Sequence, residues 1–180
     1  MNIPQDCLNM YTTQRQAEQI NKIILSYVDS TSAITDATAC VGGNSILFAR
    51  DFSRVISVEK NHEIFKILKS NLKPYFKTCT CYNSSYNDIK FIIKQDVVFI
   101  DPPWGGHDYK IKKDIKLFLD STEIRSVVND LYNFTTIIAL KVPINFDMNS
   151  LDALFWSHRV YPITKNNKTI YNLVIFHKHI

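Results

Sequence analysis

The chain has 180 residues, 46% hydrophobic and 21% charged, which is enough apolar mass for one folded domain and excludes a disordered chain. With 21 Lys+Arg against 17 Asp+Glu the net charge is +4, a mild excess that permits a nucleic-acid partner without requiring one. Its 4 glycines, where average usage gives about 13, exclude collagen-like and linker classes. No apolar run reaches the ~20 residues of a membrane helix, and the polar N-terminus carries no signal-peptide core. We therefore expect one domain over residues 1–180, no membrane partner and a monomer. We expect it in a reducing compartment, cytoplasmic or nuclear, or in the host-cell cytoplasm for a viral chain. Cys7, Cys40, Cys79 and Cys81 lack a zinc spacing, and Cys79 and Cys81 share one face of a strand, so no metal is expected.

In chain order, Ala17, Ile20, Ile24 and Val28 recur at three- and four-residue steps, which predicts a helix over Thr13–Val28. Residues 1–30 would form an N-terminal helical segment beside a ligand site. Ala33–Ala37 is a short strand, and Ser45–Arg50 starts a helix with Asn44 as its N-cap. Val55–Val58 is the second strand, His62–Leu72 a helix, and Thr78–Tyr82 the third strand. Val97–Ile100 is uniformly apolar, as in a strand buried on both faces. Thr122–Tyr132 is helical and Thr135–Val142 is the fifth strand. Arg159–Thr164 and Ile170–His177 flank a turn-forming stretch, 165–169, and should pair as an antiparallel hairpin. Trp156 should pack in the core or against that hairpin. Alternating strands and helices give an α/β, doubly wound, mostly parallel sheet. Five such units closed by a hairpin resemble the seven-stranded, Rossmann-like class I S-adenosylmethionine-dependent methyltransferases.

All four glycines stand in two adjacent pairs, Gly42-Gly43 and Gly105-Gly106. The first pair follows the first strand, where open α/β sheets bind ligands. Glu59 ends the second strand, where an acid accepts the hydroxyls of an adenosine ribose. A glycine loop and this acid point to a nucleoside-containing cofactor. The G-x-G-x-x-G dinucleotide pattern is absent, and Asp36 suits the cationic methionine end of S-adenosylmethionine better than a pyrophosphate.

The second pair closes Asp101-Pro102-Pro103-Trp104-Gly105-Gly106. Asp-Pro-Pro-aromatic resembles the signature of methyltransferases acting on exocyclic amines of nucleobases. Such an amine is a poor nucleophile because its lone pair is conjugated into the ring. Hydrogen bonds to Asp101 and to a carbonyl at Pro102 would favour the pyramidal, nucleophilic form. Trp104 would stack on the base and hold it in line with the methyl donor. The glycine loop precedes this motif, the opposite order from the permuted N6-adenosine RNA enzymes.

The wider context resembles the trimethylguanosine synthase family, the RNA cap guanine-N2 methyltransferases. The matching stretches are Asp36-Ala37, Val41-Gly42-Gly43-Asn44, Phe48-Ala49, Asp96–Ile100, Pro102–Gly106 and Asp108-Tyr109. The resemblance as a whole spans roughly Thr12 to the final hairpin. The resemblance implies S-adenosylmethionine as cofactor, S-adenosylhomocysteine as product, and capped RNA or a cap nucleotide as partner. It implies that Trp104 stacks on 7-methylguanine, a cation, with a cation–π gain of ~1–2 kcal/mol.

The implied cofactor set is Thr13, Asp36, Gly42, Asn44, Glu59, Ser85 and Asp101. The implied catalytic set is Asp101, Pro102 and Trp104. Substrate candidates are Trp104, Tyr11, Asp108, Lys110, Lys113, Lys141 and Asn145. Lys110, Lys112, Lys113 and Lys116 read either as a phosphate clamp or as a solvated helix start. Thr13 reads equally as a helix cap.

The chain departs from the family at several points. Asp101 stands where the family has serine, Cys40 where it has the first loop glycine, and Glu59 and Ser85 where it has aspartates. Pro143-Ile144-Asn145 lacks the family's arginine, whose charge Lys141 or the lysine run would replace. Asp101 is also found in adenine-N6 and ribosomal guanine-N2 enzymes, so another base amine is the alternative target. A non-catalytic RNA-binding subunit is the third reading.

Overall fold

The computed structural model describes residues 1–8, 11–152 and 154–178. Along the chain come α1 (Gln14–Ile24), β1 (Ala33–Asp36), α2 (Gly43–Asp51), β2 (Arg54–Val58), α3 (His62–Leu72), β3 (Cys79–Tyr82), α4 (Tyr86–Ile89) and β4 (Val97–Ile100). They are followed by β5 (Phe118–Leu119), β6 (Thr122–Glu123), α5 (Ile124–Asp130), β7 (Ile137–Val142), β8 (Ser157–Lys165) and β9 (Lys168–His177).

Seven strands form one sheet in the order β3-β2-β1-β4-β7-β9-β8. The first five run parallel, and β9 and β8 run antiparallel. The expected doubly wound sheet with a terminal hairpin is therefore present. Strand alternation divides the core in two. Val97 and Phe99 face the side covered by Ile20, Phe48 and Leu68 of α1, α2 and α3. Val98 and Ile100 face the side covered by Tyr86 of α4 and by Ile124, Val127 and Val128 of α5. Helices on both faces explain why β4 and β7 are buried at every position. Trp156 is buried in the second half, and its indole N–H donates to the Val128 carbonyl at 3.1 Å.

Several local expectations need correction. Helix α1 stops at Ile24 rather than Val28 because the next N–H groups, from Ser26 and Tyr27, bond three residues back. The Ser26 hydroxyl also donates to the Ile23 carbonyl, a competing local bond. Asn44 is not the cap of α2. That position is Gly42 at φ +96°, and Asn44 lies inside the first turn. The helix expected over 122–132 begins at Ile124, because Thr122–Glu123 pair with Phe118–Leu119 around a turn with Asp120 at φ +55°. The terminal hairpin turns on Asn166-Asn167 alone, both left-handed at φ +51° and +61°. This is the geometry of the tightest hairpin turns, which asparagine tolerates. It lengthens both strands beyond their expected ends.

The loop between β1 and α2 is held from below and above. Below it, Asp36 is buried and accepts from the Ser45 hydroxyl at 2.7 Å, and Ser57 donates to Ser45 at 2.9 Å. Above it lies the segment Tyr11-Thr12. A Cβ on Gly43 would stand 2.9 Å from the Thr12 carbonyl oxygen. The glycine is thus required by a close backbone crossing.

Two outcomes follow. Gly43→Ala should lose about 1–3 kcal/mol of stability in urea unfolding, because backbone must move to admit the methyl; an unchanged midpoint would contradict the crossing. Burial raises the Asp36 carboxyl from 3.8 to about 7. The folded chain then holds a proton that the unfolded chain releases. Stability contributed by this group falls as pH rises from about 4 to about 7. Asp36→Asn should flatten the decline of melting temperature across that window, and parallel wild-type and variant curves would refute the assignment.

Candidate functional site

Parallel strands bring their carboxyl ends to one rim, so Asp36, Glu59 and Asp101 arrive there from β1, β2 and β4. The loop backbone is sewn to those ends. Ala37 N–H bonds the Phe99 carbonyl at 2.9 Å, and Ala39 N–H bonds that of Val58 at 2.9 Å. Cys40 adopts φ +48°, so the backbone keeps a left-handed turn although its residue is not glycine. Its N–H donates to Glu59 Oε2 at 3.0 Å. The other Glu59 oxygen accepts from Asn61 N–H at 2.7 Å. Burial pushes the Glu59 carboxyl up, and these N–H donors oppose it.

Asp101 is largely buried, with its side chain 17% exposed. Its carboxylate accepts from Lys141 Nζ at 2.6 Å, and its backbone N–H donates to the Thr38 hydroxyl at 2.8 Å. Burial pushes the Asp101 carboxyl up, and the Lys141 charge pulls it back. Pro102 is buried, while Pro103 is exposed. Trp104 is half-buried, with Tyr109 and Tyr171 edge-on at 5.2 and 5.9 Å between ring centroids. Gly105 and Gly106 turn the chain away at φ +91° and +78°.

A cleft of about 470 Å³ opens beside the motif. Pro103, Trp104 and Gly105 form one wall, and Lys112, Lys113 and Lys116 form another. Lys60 and Asp120 close the end nearest Glu59. Asp120 is ion-paired with Lys60 and accepts from the Ser85 hydroxyl. The Lys60 bond, then the Ser85 bond, hold its carboxyl below the ordinary range. Ser85 also caps α4 by accepting from Asn87 N–H. Asp120 was not anticipated: in the sequence it is an unremarkable turn residue, and only the small β5–β6 hairpin carries it to the rim.

The remaining candidates are distributed as follows. Thr13 caps α1, its N–H donating to Gln16 Oε1 at 3.0 Å. Asn44 is buried and donates to the Thr12 hydroxyl at 3.1 Å. Tyr11 lies against Gly43. Lys113 lines the cleft, whereas exposed Lys110 lies 5.9 Å from the Tyr109 ring centroid. Asp108 is exposed. Asn145 donates to the carbonyls of Tyr109 and Lys112, both at 2.7 Å, and so pins the segment after the motif. Lys141 is buried beneath Trp104 and committed to Asp101. Among the described residues no group of three or more His, Cys, Asp or Glu side chains could hold a metal ion.

A protein of Acanthamoeba polyphaga mimivirus, itself uncharacterized, is 34% identical over 154 residues, covering 81% of this chain and 58% of its own length. The trimethylguanosine synthase of Schizosaccharomyces pombe is 26% identical, covering 79% of this chain and 62% of its own. That of Saccharomyces cerevisiae is 25% identical, covering 78% and 47%. The chain thus spans about half to three-fifths of the curated relatives it matches. Solved structures share the fold. An rRNA methylase from Streptococcus thermophilus aligns with TM-score 0.62 at 10% identity, over 90% of this chain and 95% of that one. A Streptococcus mutans protein assigned as a methyltransferase, in complex with S-adenosylhomocysteine, aligns with TM-score 0.65 at 12% identity, over 93% and 100%. The profile of the RNA cap guanine-N2 methyltransferases matches residues 31–175. The chain therefore belongs to that family of S-adenosylmethionine-dependent RNA methyltransferases.

Proposed function

We propose that this chain transfers a methyl group from S-adenosylmethionine to the exocyclic N2 amine of 7-methylguanosine in an RNA cap. The observation that carries the reading is the placement of Asp101 and Trp104 at one rim, beside a cleft walled by Lys60, Lys112, Lys113 and Lys116.

The residues present fit the cofactor. Three carboxylates, Asp36, Glu59 and Asp101, gather at the rim, and the charges of Asp101 and Glu59 are felt at Asp36. Such a set suits a ligand with an ammonium, a sulfonium and two ribose hydroxyls. Asp36 Oδ1 is buried without a partner, which leaves an acceptor on the ammonium side. Glu59 and Ser85 stand at the adenosine end, and Gly42 and Asn44 shape the loop between, with Thr13 capping the segment above. The cofactor, when bound, supplies an electrophilic methyl carbon.

Asp101 accepts a hydrogen bond from the amine and draws its lone pair out of conjugation, and the proton lost on transfer leaves through that bond. Trp104 stacks on the base, and its edge contacts with Tyr109 and Tyr171 keep the ring from rotating. A methylated, cationic base gains from the indole face. Lys112, Lys113 and Lys116 meet the cap phosphates, with Lys110 and Asp108 further out and Tyr11 toward the loop. Because Lys141 is committed to Asp101, the charge of the family's missing arginine falls to the lysine wall. The ion pair also leaves the Asp101 site with no net charge, as serine would.

The second reading, transfer to another base amine, draws on Asp101 itself, the acid of adenine-N6 and ribosomal guanine-N2 enzymes. Radiolabelled S-adenosylmethionine offered with 7-methylguanosine diphosphate, guanosine diphosphate or uncapped RNA separates the two. We expect label on the first acceptor only. Label on uncapped RNA alone would establish the second reading. Trp104→Ala should lower transfer by about a hundredfold or more while calorimetry with S-adenosylhomocysteine stays unchanged. Retained transfer would remove the stacking role, and no cofactor binding by the wild type would favour a non-catalytic subunit.

A further inference from the structure

Lys141 is buried, with its side chain 8% exposed, yet it carries an ammonium. Four groups surround that ammonium. Asp101 accepts from it at 2.6 Å and the Thr12 hydroxyl at 3.2 Å. The ring centroids of Tyr171 and Trp104 stand 4.6 and 5.4 Å away. The sheet fixes this meeting. Ile100 of β4 is in register with Leu140 of β7, so the next residues, Asp101 and Lys141, leave adjacent strands at the same rim.

Stability does not account for the pair. Burying two charges costs several kcal/mol per ion, and apolar residues of equal volume are often as stable or more so. What the pair does is fix Asp101. The other titratable groups facing that carboxylate are Asp36 from β1 and Tyr171 from β9; the Asp101 charge pushes both of them up, and neither brings a positive charge to it. Lys141 is the group that favours it.

We propose that Lys141 is the positioning residue of the site, holding the Asp101 carboxylate charged and in one orientation toward the acceptor amine. The inference rests on the base-amine transfer proposed above. Without the ammonium nothing opposes the burial that pushes the Asp101 carboxyl up, and its protonated form is a weaker acceptor for the amine than the carboxylate. The Thr12 bond extends the effect, because Thr12 also accepts from Asn44 and its carbonyl overlies Gly43.

The test compares wild type with Lys141→Met, Lys141→Gln and Lys141→Arg. Calorimetry with S-adenosylhomocysteine reports the fold, and affinities within about threefold are expected. Single-turnover methyl transfer is followed against pH. Lys141→Met should be slowed about a hundredfold at neutral pH, with its acid limb moved upward. Lys141→Arg should recover most of the rate. Lys141→Gln serves the same comparison where the Met variant does not fold. An acid limb that stays in place, or a loss confined to KM, overturns the proposal. Carbon NMR of labelled aspartate reads the Asp101 titration directly, without any acceptor. A higher midpoint in Lys141→Met is expected, and an unchanged midpoint overturns the proposal. A moved midpoint in a chain that methylates no base amine would sink the transfer reading alone.

Discussion

The ion pair between Asp101 and Lys141 is the contact on which the arrangement of the site depends. It joins two adjacent strands at their carboxyl ends and is capped by the Thr12 hydroxyl from the N-terminal segment. Both partners are taken out of water, so neither can be removed without leaving a charge whose desolvation is uncompensated. Two aromatic rings flank the ammonium. Trp104 and Tyr171 meet edge-on over Lys141, and Tyr109 closes the other side of Trp104. A single ammonium thus meets the Asp101 carboxylate, the Trp104 ring and the segment lying over the β1–α2 loop.

The two glycine pairs turn out to serve different ends. Gly42 provides a left-handed entry to α2, and Gly43 leaves room for the Thr12 carbonyl. The close approach at this loop is between two stretches of the chain itself, and only through them does the loop take its shape for a ligand. Cys40 keeps the left-handed backbone of a loop glycine, with its N–H bonded to Glu59. Gly105 and Gly106 have open space around them, so their contribution is the positive φ that frees the chain after two prolines.

Much of the fold was legible in the sequence, because buried strands advertise themselves. Val97–Ile100 and His62–Leu72 were read to the residue, and the parallel order follows from alternation of strands and helices. What escaped was built from short or polar pieces. Helix α4 has four residues and rests on a serine cap, and β5 and β6 have two residues each. Neither yields a hydrophobic period. The Asp-Pro-Pro-Trp motif located the rim, since its residues are contiguous. The partners of those residues were not legible. Lys141 lies 40 positions from Asp101 and Thr12 lies 129 from Lys141, and only strand register brings them together. Read in sequence, Lys141 is a substrate candidate that could replace the charge of the family's missing arginine; folded, its charge is spent on Asp101.

The most direct measurement is a crystal structure of the chain with S-adenosylhomocysteine and 7-methylguanosine diphosphate. The account predicts the base stacked on Trp104, its N2 amine within hydrogen-bond reach of Asp101, Asp101 still paired with Lys141, and the phosphates against Lys112, Lys113 and Lys116. A base seated away from Trp104, or an Asp101 whose bond to Lys141 is broken while the amine lies elsewhere, would contradict it.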